Sequence, residues 1–142
     1  MINIEMAKDY ILRGKRCLRE AELAFSEEDA AMTIRRAQEA LELALKALLR
    51  LLGIEYPRTH DVSDVLLEFK DKLPEELRDG IEELAKLVAE LAAIRGPTFY
   101  GYEREGIPAS QAFSMNYAGE IFTKVKEYFK VIESVIKRYI SS

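Results

Sequence analysis

Apolar residues recur at helical spacing along four long stretches of the chain, and no stretch alternates with the two-residue spacing of a strand. The pattern predicts an all-α, up-and-down bundle of four long helices and one short helix, forming a single domain over residues 1–142. Gly14, on the inner face of the first helix, predicts close approach of a neighbouring helix. The predicted long helices run from about Ile4 to Phe25, from Glu27 to Leu52, from Pro74 to Arg95 and from just after Ser114 through Tyr139, and the short helix follows Thr59 up to Phe69.

The second long helix is expected to lie at the centre of the bundle. Besides its main apolar face it carries a second one, formed by Ala40, Leu43 and Ala47, so it is expected to be buried on two sides. The second face would meet either the core or another subunit. Ser26 is the expected N-cap of this helix, and Gly53 is the expected residue at its end. The main face consists of Ile34, Ala37, Leu41, Ala44, Leu45, Leu48 and Leu52.

A long loop is predicted between the third and fourth long helices, from Gly96 to about Ser114. The Gly96-Pro97 pair ends the preceding helical pattern, and further glycines, a proline and aromatic residues follow it. Connections of this length in compact domains often carry function.

Composition narrows the classes of function. With 25 acidic and 21 basic residues the net charge is −4, so electrostatic binding of nucleic acid by the whole surface is not expected. A local basic site is compatible with this net charge. The single cysteine, Cys17, provides neither an internal disulfide nor a cysteine zinc cluster, and no metal or cofactor motif is predicted. Without a signal-peptide pattern or a long apolar run, the expected location is the cytoplasm. The scarcity of asparagine and glutamine is typical of heat-adapted sources.

A strip of four polar residues lies beside the apolar faces of the second helix: Arg35, Glu39, Glu42 and Lys46. At about 100° per residue, they span only about 60° of the helix circumference. One interpretation is two surface ion pairs at i,i+4 spacing, Arg35–Glu39 and Glu42–Lys46. The other is that the strip lines a polar cleft.

Arg95 extends the apolar stripe of the third long helix by one more step of four and is therefore expected to point towards the bundle. A guanidinium group in such a place needs a carboxylate, a phosphate or carbonyl partners. Arg95 would pair with Glu39 or Glu42, extend its charged end to the surface, or bind an anion such as an RNA phosphate. His60, the only histidine, is expected to cap a helix end or bond a backbone carbonyl, and general acid–base chemistry is the alternative.

Two tyrosines, Tyr100 and Tyr102, lie in the predicted loop. They would either stack on a nucleobase or pack the loop onto the bundle. The first helix also carries a basic run, which is either solvated surface or a docking patch for RNA or an acidic partner. The run consists of Arg13, Lys15, Arg16 and Arg19.

The central helix and the turn that follows it resemble the HEPN domain family. The resemblance is carried by residues 34–49, by the Gly53-Ile54 turn and by the Thr59-His60-Asp61 step. The later segment from Arg95 to Tyr100 is similar to the arginine- and tyrosine-bearing loop of small stand-alone prokaryotic HEPN proteins. The resemblance implies a homodimeric bundle of four to five helices with a link to RNA or nucleotides.

Many proteins of that family are metal-independent ribonucleases, often toxins neutralised by a small nucleotidyltransferase, and use an arginine followed four to six residues later by a histidine. In this chain, Phe99, Tyr100 and Gly101 occupy those positions after Arg95. Tyrosine, with a pKa near 10, is a poor base at neutral pH. The resemblance therefore favours a dimeric module that binds nucleotide or RNA, or partners a nucleotidyltransferase, without nuclease activity of its own. The alternatives are a ribonuclease with an unusual site and a structural helical adaptor.

Overall fold

A computed structural model describes residues 2–141 of the chain. The long helices predicted from the periodicity are present, which confirms the all-α bundle, and within the described residues an isolated bridge between Tyr102 and Ile107 is the only strand-like pairing. No helix in this part of the chain is both long and apolar enough to cross a bilayer. The helices are α1 (Ile4–Ser26), α2 (Ala30–Leu52), α3 (Ser63–Glu68), α4 (Glu75–Arg78), α5 (Ile81–Ala93), α6 (Arg95–Tyr100), α7 (Ala109–Ala112) and α8 (Met115–Ser141).

Helix α2 forms the spine of the bundle and contacts α1, α5, α6, α7 and α8. Its main apolar face is buried except at Leu52, which is partly buried, and Ala40 and Ala47 on the second face are also fully buried. On that side Gly14 brings α1 so close that a Cβ atom added there would lie 3.2 Å from the Ala40 carbonyl oxygen and 3.4 Å from the Leu43 Cβ. At Ala40 and Ala47 the second face is therefore core formed within the chain, whereas Leu43 is half-buried. The predicted close approach at Gly14 is confirmed.

The start of α2 differs from the prediction. Ser26 is the last residue of α1, and its hydroxyl donates to the Leu23 carbonyl oxygen, so the expected N-cap at Ser26 is wrong. Asp29 takes that role, because its carboxylate accepts the backbone N–H three residues further on at 3.0 Å. Glu28, at φ 61°, turns the chain between the two helices. The predicted end at Gly53 is confirmed, with φ 71°.

The region after α2 is divided more finely than the periodicity indicated. Thr59 does not cap the short helix, because its hydroxyl donates to the carbonyl oxygen of Asp61, and the helix begins at Ser63. The Asp61 carboxylate instead accepts the Ser63 backbone N–H at 2.9 Å. Pro74 precedes α4 as expected, but α4 ends after one turn and α5 begins beyond Gly80.

The long loop predicted after Arg95 is wrong, because this segment folds into α6, a 3-10 turn at 103–105, and α7. Pro97 lies in the first turn of α6, where a backbone N–H has no partner within the helix and its absence costs little. Gly101, at φ 71°, then reverses the chain, and a Cβ atom there would collide with the Ile107 carbonyl oxygen. Both α6 and α7 consequently pack against α2.

Candidate functional site

The polar strip of α2 faces the start of α6. Arg95 points towards the bundle as expected, and its Nε donates to the Gln38 side-chain oxygen at 3.0 Å. Its Nη2 donates to the Glu39 carboxylate at 3.3 Å. The side chains of Arg95 and Glu39 are 24% and 19% exposed. The Arg95–Glu39 pair that the sequence raised as one interpretation is therefore present at a half-buried position.

Arg35 fixes the first turn of α6 from the α2 side. Its Nη1 donates to the Arg95 carbonyl oxygen at 2.7 Å, and the same oxygen accepts the Thr98 hydroxyl at 2.7 Å. The guanidinium carbon of Arg35 lies 4.7 Å from the centre of the Phe99 ring, within the range of a cation–π contact. Burial lowers the pKa of Arg35, and the nearby charge of Arg95 lowers it further.

Glu39 is the carboxylate on which three arginines converge. Its oxygens lie 2.5 Å from Arg36 Nη1, 3.3 Å from Arg95 Nη2 and 3.8 Å from Arg35 Nε. The hydrogen bond to Glu39 raises the pKa of Arg36. Arg36 is also 3.9 Å from Glu20 of α1, so three guanidinium groups share two carboxylates. The resulting cluster carries a local excess of positive charge in a chain whose net charge is negative.

Glu42, one turn further along α2, holds a second group of partners. Its carboxylate accepts from Gln38 Nε2 at 2.7 Å, from Lys46 Nζ at 2.9 Å and from His60 Nδ1 at 3.0 Å. Burial pushes the pKa of Glu42 up, but the three hydrogen bonds outweigh burial and the pKa lies below its usual value. Lys46 also donates to the Thr59 carbonyl oxygen at 2.7 Å, which ties the turn after α2 to the helix.

His60 neither caps a helix nor bonds a backbone carbonyl; its Nδ1 bonds the Glu42 carboxylate. Because an ionised carboxylate only accepts, Nδ1 must carry the hydrogen, and in the neutral ring Nε2 is then an acceptor. The imidazole is 53% exposed. This side of the cluster thus holds an oriented imidazole.

Gln38 joins the two carboxylate groups, since its oxygen accepts from Arg95 while its nitrogen donates to Glu42. Gln38 and Arg36 are members of the cluster that sequence reasoning missed. Gln38 is only 3% exposed, and an amide at a buried helical position, close to the polar strip, is the signal that could have identified it. Six of the eight predicted site residues lie in this connected network: Arg35, Glu39, Glu42, Lys46, His60 and Arg95.

An open cleft of about 370 Å³ runs along the arginine side of the network. It lies between α1 and α2 and reaches Arg95 at the start of α6. From α1 it is lined by Cys17 and Glu20, and from α2 by Arg36, Glu39, Glu42 and Leu43. Two arginines of the cluster, Arg36 and Arg95, therefore border a space that is accessible from outside the bundle.

The model of the HEPN domain family matches residues 7–135, which is most of the chain. The chain belongs to the HEPN domain family. HEPN domains are helical modules often tied to RNA binding or nuclease activity. Comparison with curated proteins and with solved structures gave no match. The bundle and the α2–α6 network described above therefore belong to a HEPN domain.

The two tyrosines of this HEPN chain lie in different surroundings. Tyr100 is 65% exposed and packs edge-on against Phe99, with ring centres 4.9 Å apart. The Tyr102 ring instead lies 6.3 Å from that of Phe113, and its backbone pairs with Ile107. The packing alternative therefore describes Tyr102, whereas Tyr100 is largely exposed to solvent.

Other features of the HEPN chain favour no second reactive centre. Burial, followed by the charges of Glu39 and Glu20, raises the pKa of the Cys17 thiol, which keeps it protonated. Within residues 2–141, no group of three histidine, cysteine or carboxylate side chains is arranged to hold a metal ion. The α1 basic run is exposed, and Arg13 and Lys15 pair with nearby acids, as in a solvated face.

Proposed function

We propose that this HEPN chain binds the phosphate groups of RNA or a nucleotide at the cleft beside α2 and α6, without cleaving the ligand itself. The observation that carries the proposal is the convergence of Arg35, Arg36 and Arg95 on a single carboxylate, Glu39. Of these residues, Arg36, Arg95 and Glu39 line the cleft. Arginine is always charged, and its planar N–H groups match phosphate oxygens.

The charge balance within the arginine cluster, where three guanidinium groups share Glu39 and Glu20, supports an anion as the ligand. Buried or half-buried cations in excess of their carboxylates are unfavourable, because like charges repel more strongly where water is partly excluded. Burial first, and the charge of Arg95 second, lower the pKa of Arg35, in agreement with such an excess. A phosphate would supply the missing negative charge and would compete with Glu39 for the same guanidinium groups.

Family membership supports a homodimer, since HEPN proteins commonly dimerise. Light scattering is then expected to give about twice the chain mass of 16.3 kDa. By the same resemblance, the proposed protein partner is a small nucleotidyltransferase, in a pair of toxin–antitoxin type. Co-purification with such a protein encoded beside this one would support that part of the proposal, and separate elution of the two would contradict it.

The binding proposal is tested with fluorescein-labelled RNA, chelator and fluorescence anisotropy. We expect Arg95→Gln to weaken binding by about tenfold and to lower the slope of log affinity against log salt by about one, because one cation at a phosphate is lost. Arg16→Gln, which removes the same charge from the exposed α1 basic run, is the matched control. Thermal unfolding monitors whether each variant is folded. Equal weakening by both variants, or none by Arg95→Gln, would contradict the proposal.

A second candidate function, metal-independent RNA cleavage, is favoured by the hydrogen bond between His60 and Glu42. An imidazole held by a carboxylate through Nδ1 has the orientation that general base catalysis uses at Nε2. Cleavage of RNA in chelator that is lost in both His60→Gln and Arg95→Gln would favour this candidate over binding alone. Intact RNA after prolonged incubation with the wild-type protein would exclude it.

A further inference from the structure

We infer that Phe99 and Tyr100 form a base-stacking subsite beside the arginine cluster, so that the ligand is RNA with unpaired bases. The inference rests on the proposed function, because the stacked base would belong to the nucleotide whose phosphate the arginines hold. The arginine cluster alone does not specify the chemical class of the ligand, and the stacking subsite does.

The exposure of the two rings is the first observation. Phe99 is 54% exposed and Tyr100 is 65% exposed, although both follow a well-buried residue, Thr98, on a short helix docked against α2. Aromatic rings that remain this open leave a large apolar face in contact with water. A nucleobase placed on such a face would remove both apolar surfaces from water.

The rings are also held in place before any ligand arrives. Arg35 lies 4.7 Å from the centre of the Phe99 ring and donates to the Arg95 carbonyl oxygen at the start of the same helix. Phe99 in turn supports Tyr100 edge-on. A platform fixed in this way loses little conformational entropy when a base stacks on it.

Arg35 connects the platform to the arginine cluster. The same guanidinium group contacts the Phe99 ring and lies 3.8 Å from Glu39. In a nucleotide, the base and the phosphate are separated by a single sugar. One nucleotide can therefore place its phosphate at the cluster and its base on the rings.

Stacking on a side chain requires a base that is free of its partner strand. In an RNA duplex the base faces are covered by neighbouring base pairs, so an aromatic platform at the protein surface binds single-stranded segments.

Tyr102 is not part of the platform, because its ring packs against Phe113.

The test compares a fluorescein-labelled oligoadenylate, single-stranded or annealed to its complement, in binding to wild-type protein and variants. We expect Tyr100→Ala to weaken single-strand binding by about tenfold and to leave duplex binding unchanged, because base–aromatic stacking is lost. Tyr100→Phe keeps the ring and should bind as the wild type does. Tyr139→Ala, which removes a tyrosine 47% exposed near the end of α8, is the matched control.

The outcomes separate this inference from the proposed function. If Tyr100→Ala binds the single strand normally while Arg95→Gln binds it weakly, the stacking subsite is wrong and the phosphate site stands. If neither variant changes binding, both ideas fail. If Tyr100→Ala changes the mass measured by light scattering, the exposed rings contact another protein copy, and the stacking inference is overturned.

Discussion

Replacing Glu39 by glutamine should lower the stability of the fold and raise the affinity for phosphate, two effects of opposite sign. The Glu39 carboxylate is 19% exposed and lies within 4 Å of Arg35, Arg36 and Arg95. Glutamine preserves the size of the side chain and one carbonyl acceptor but removes the negative charge. The three guanidinium groups would then repel one another without their shared counter-ion, and a bound phosphate would no longer compete with Glu39.

The two magnitudes follow from the surroundings of the carboxylate. Hydrogen bonds to charged groups contribute about 1.5–3 kcal/mol each, and partial exposure reduces their value, so we expect a loss of about 2 kcal/mol in the free energy of unfolding. For a chain of this length that loss corresponds to a Tm decrease of about 6 °C. For binding, removing a unit charge about 6 Å from a phosphate at an effective dielectric constant of about 40 gains about 1.4 kcal/mol, or about tenfold in affinity.

Thermal unfolding followed by circular dichroism measures the first effect, and anisotropy with labelled RNA at low and high salt measures the second. Glu133→Gln is the matched control, because Glu133 is 20% exposed and pairs with Lys15 and Lys137 outside the cleft lining. It changes the net charge by the same amount, so affinity gained by both variants would be a whole-protein effect. Weaker RNA binding by folded Glu39→Gln would refute the reasoning and show that Glu39 orients the arginines for the ligand.

Two further predictions concern packing and pH. Gly14→Ala places a Cβ atom 2.9 Å from the buried Phe129 ring, so an overpacking cost of about 1–3 kcal/mol should exceed the gain of about 1 kcal/mol in helix propensity. Gly119→Ala is the control, because its Cβ meets only the exposed Phe25 ring, and it should be neutral or stabilising in urea unfolding. If Gly119→Ala were the more destabilised variant, the packing at Gly14 would be contradicted. Burial raises the pKa of Glu42, but its hydrogen bonds lower the pKa by more, so the folded value lies below the unfolded value of about 4.3. The contribution of Glu42 to stability is therefore present above the unfolded pKa and is lost as pH falls through the folded pKa. Glu42→Gln should therefore be less stable at neutral pH and lose less stability on acidification, and a curve parallel to that of the wild type would contradict this assignment.

The long helices could be predicted from the sequence because their stability comes from burying a periodic apolar face. α1, α2 and α8 begin and end within a few residues of the predicted positions. The errors occur where a single side chain or dihedral angle decides the boundary. Asp29 and Ser26 are both good capping residues, and the turn at Glu28, with its positive φ, places Asp29 directly before α2.

The site could be predicted only in part, for a different reason. The inward orientation of Arg95 and its need for a carboxylate follow from periodicity and from a charge that cannot be lost, so the pair with Glu39 was among the expected partners. The contact of His60 with Glu42 joins residues on two different segments, and no local pattern indicates it. Gln38 could not be predicted as a site residue, because a neutral amide in a helix has no obligatory partner. Its partner, Arg95, is brought to it by α6.

The segment where the loop prediction failed is also the one that completes the candidate site, and a common cause accounts for both. Local preference favours a break at Gly96-Pro97, and a six-residue helix has little stability of its own. Arg35 overrides that preference by donating to the Arg95 carbonyl oxygen from the neighbouring helix. The same docking brings the Arg95 side chain to Gln38 and Glu39 and fixes the Phe99 ring above Arg35. Formation of α6 and delivery of Arg95 to the cluster are therefore one event, so a substitution that unfolds α6 would weaken the phosphate site even where it touches no arginine.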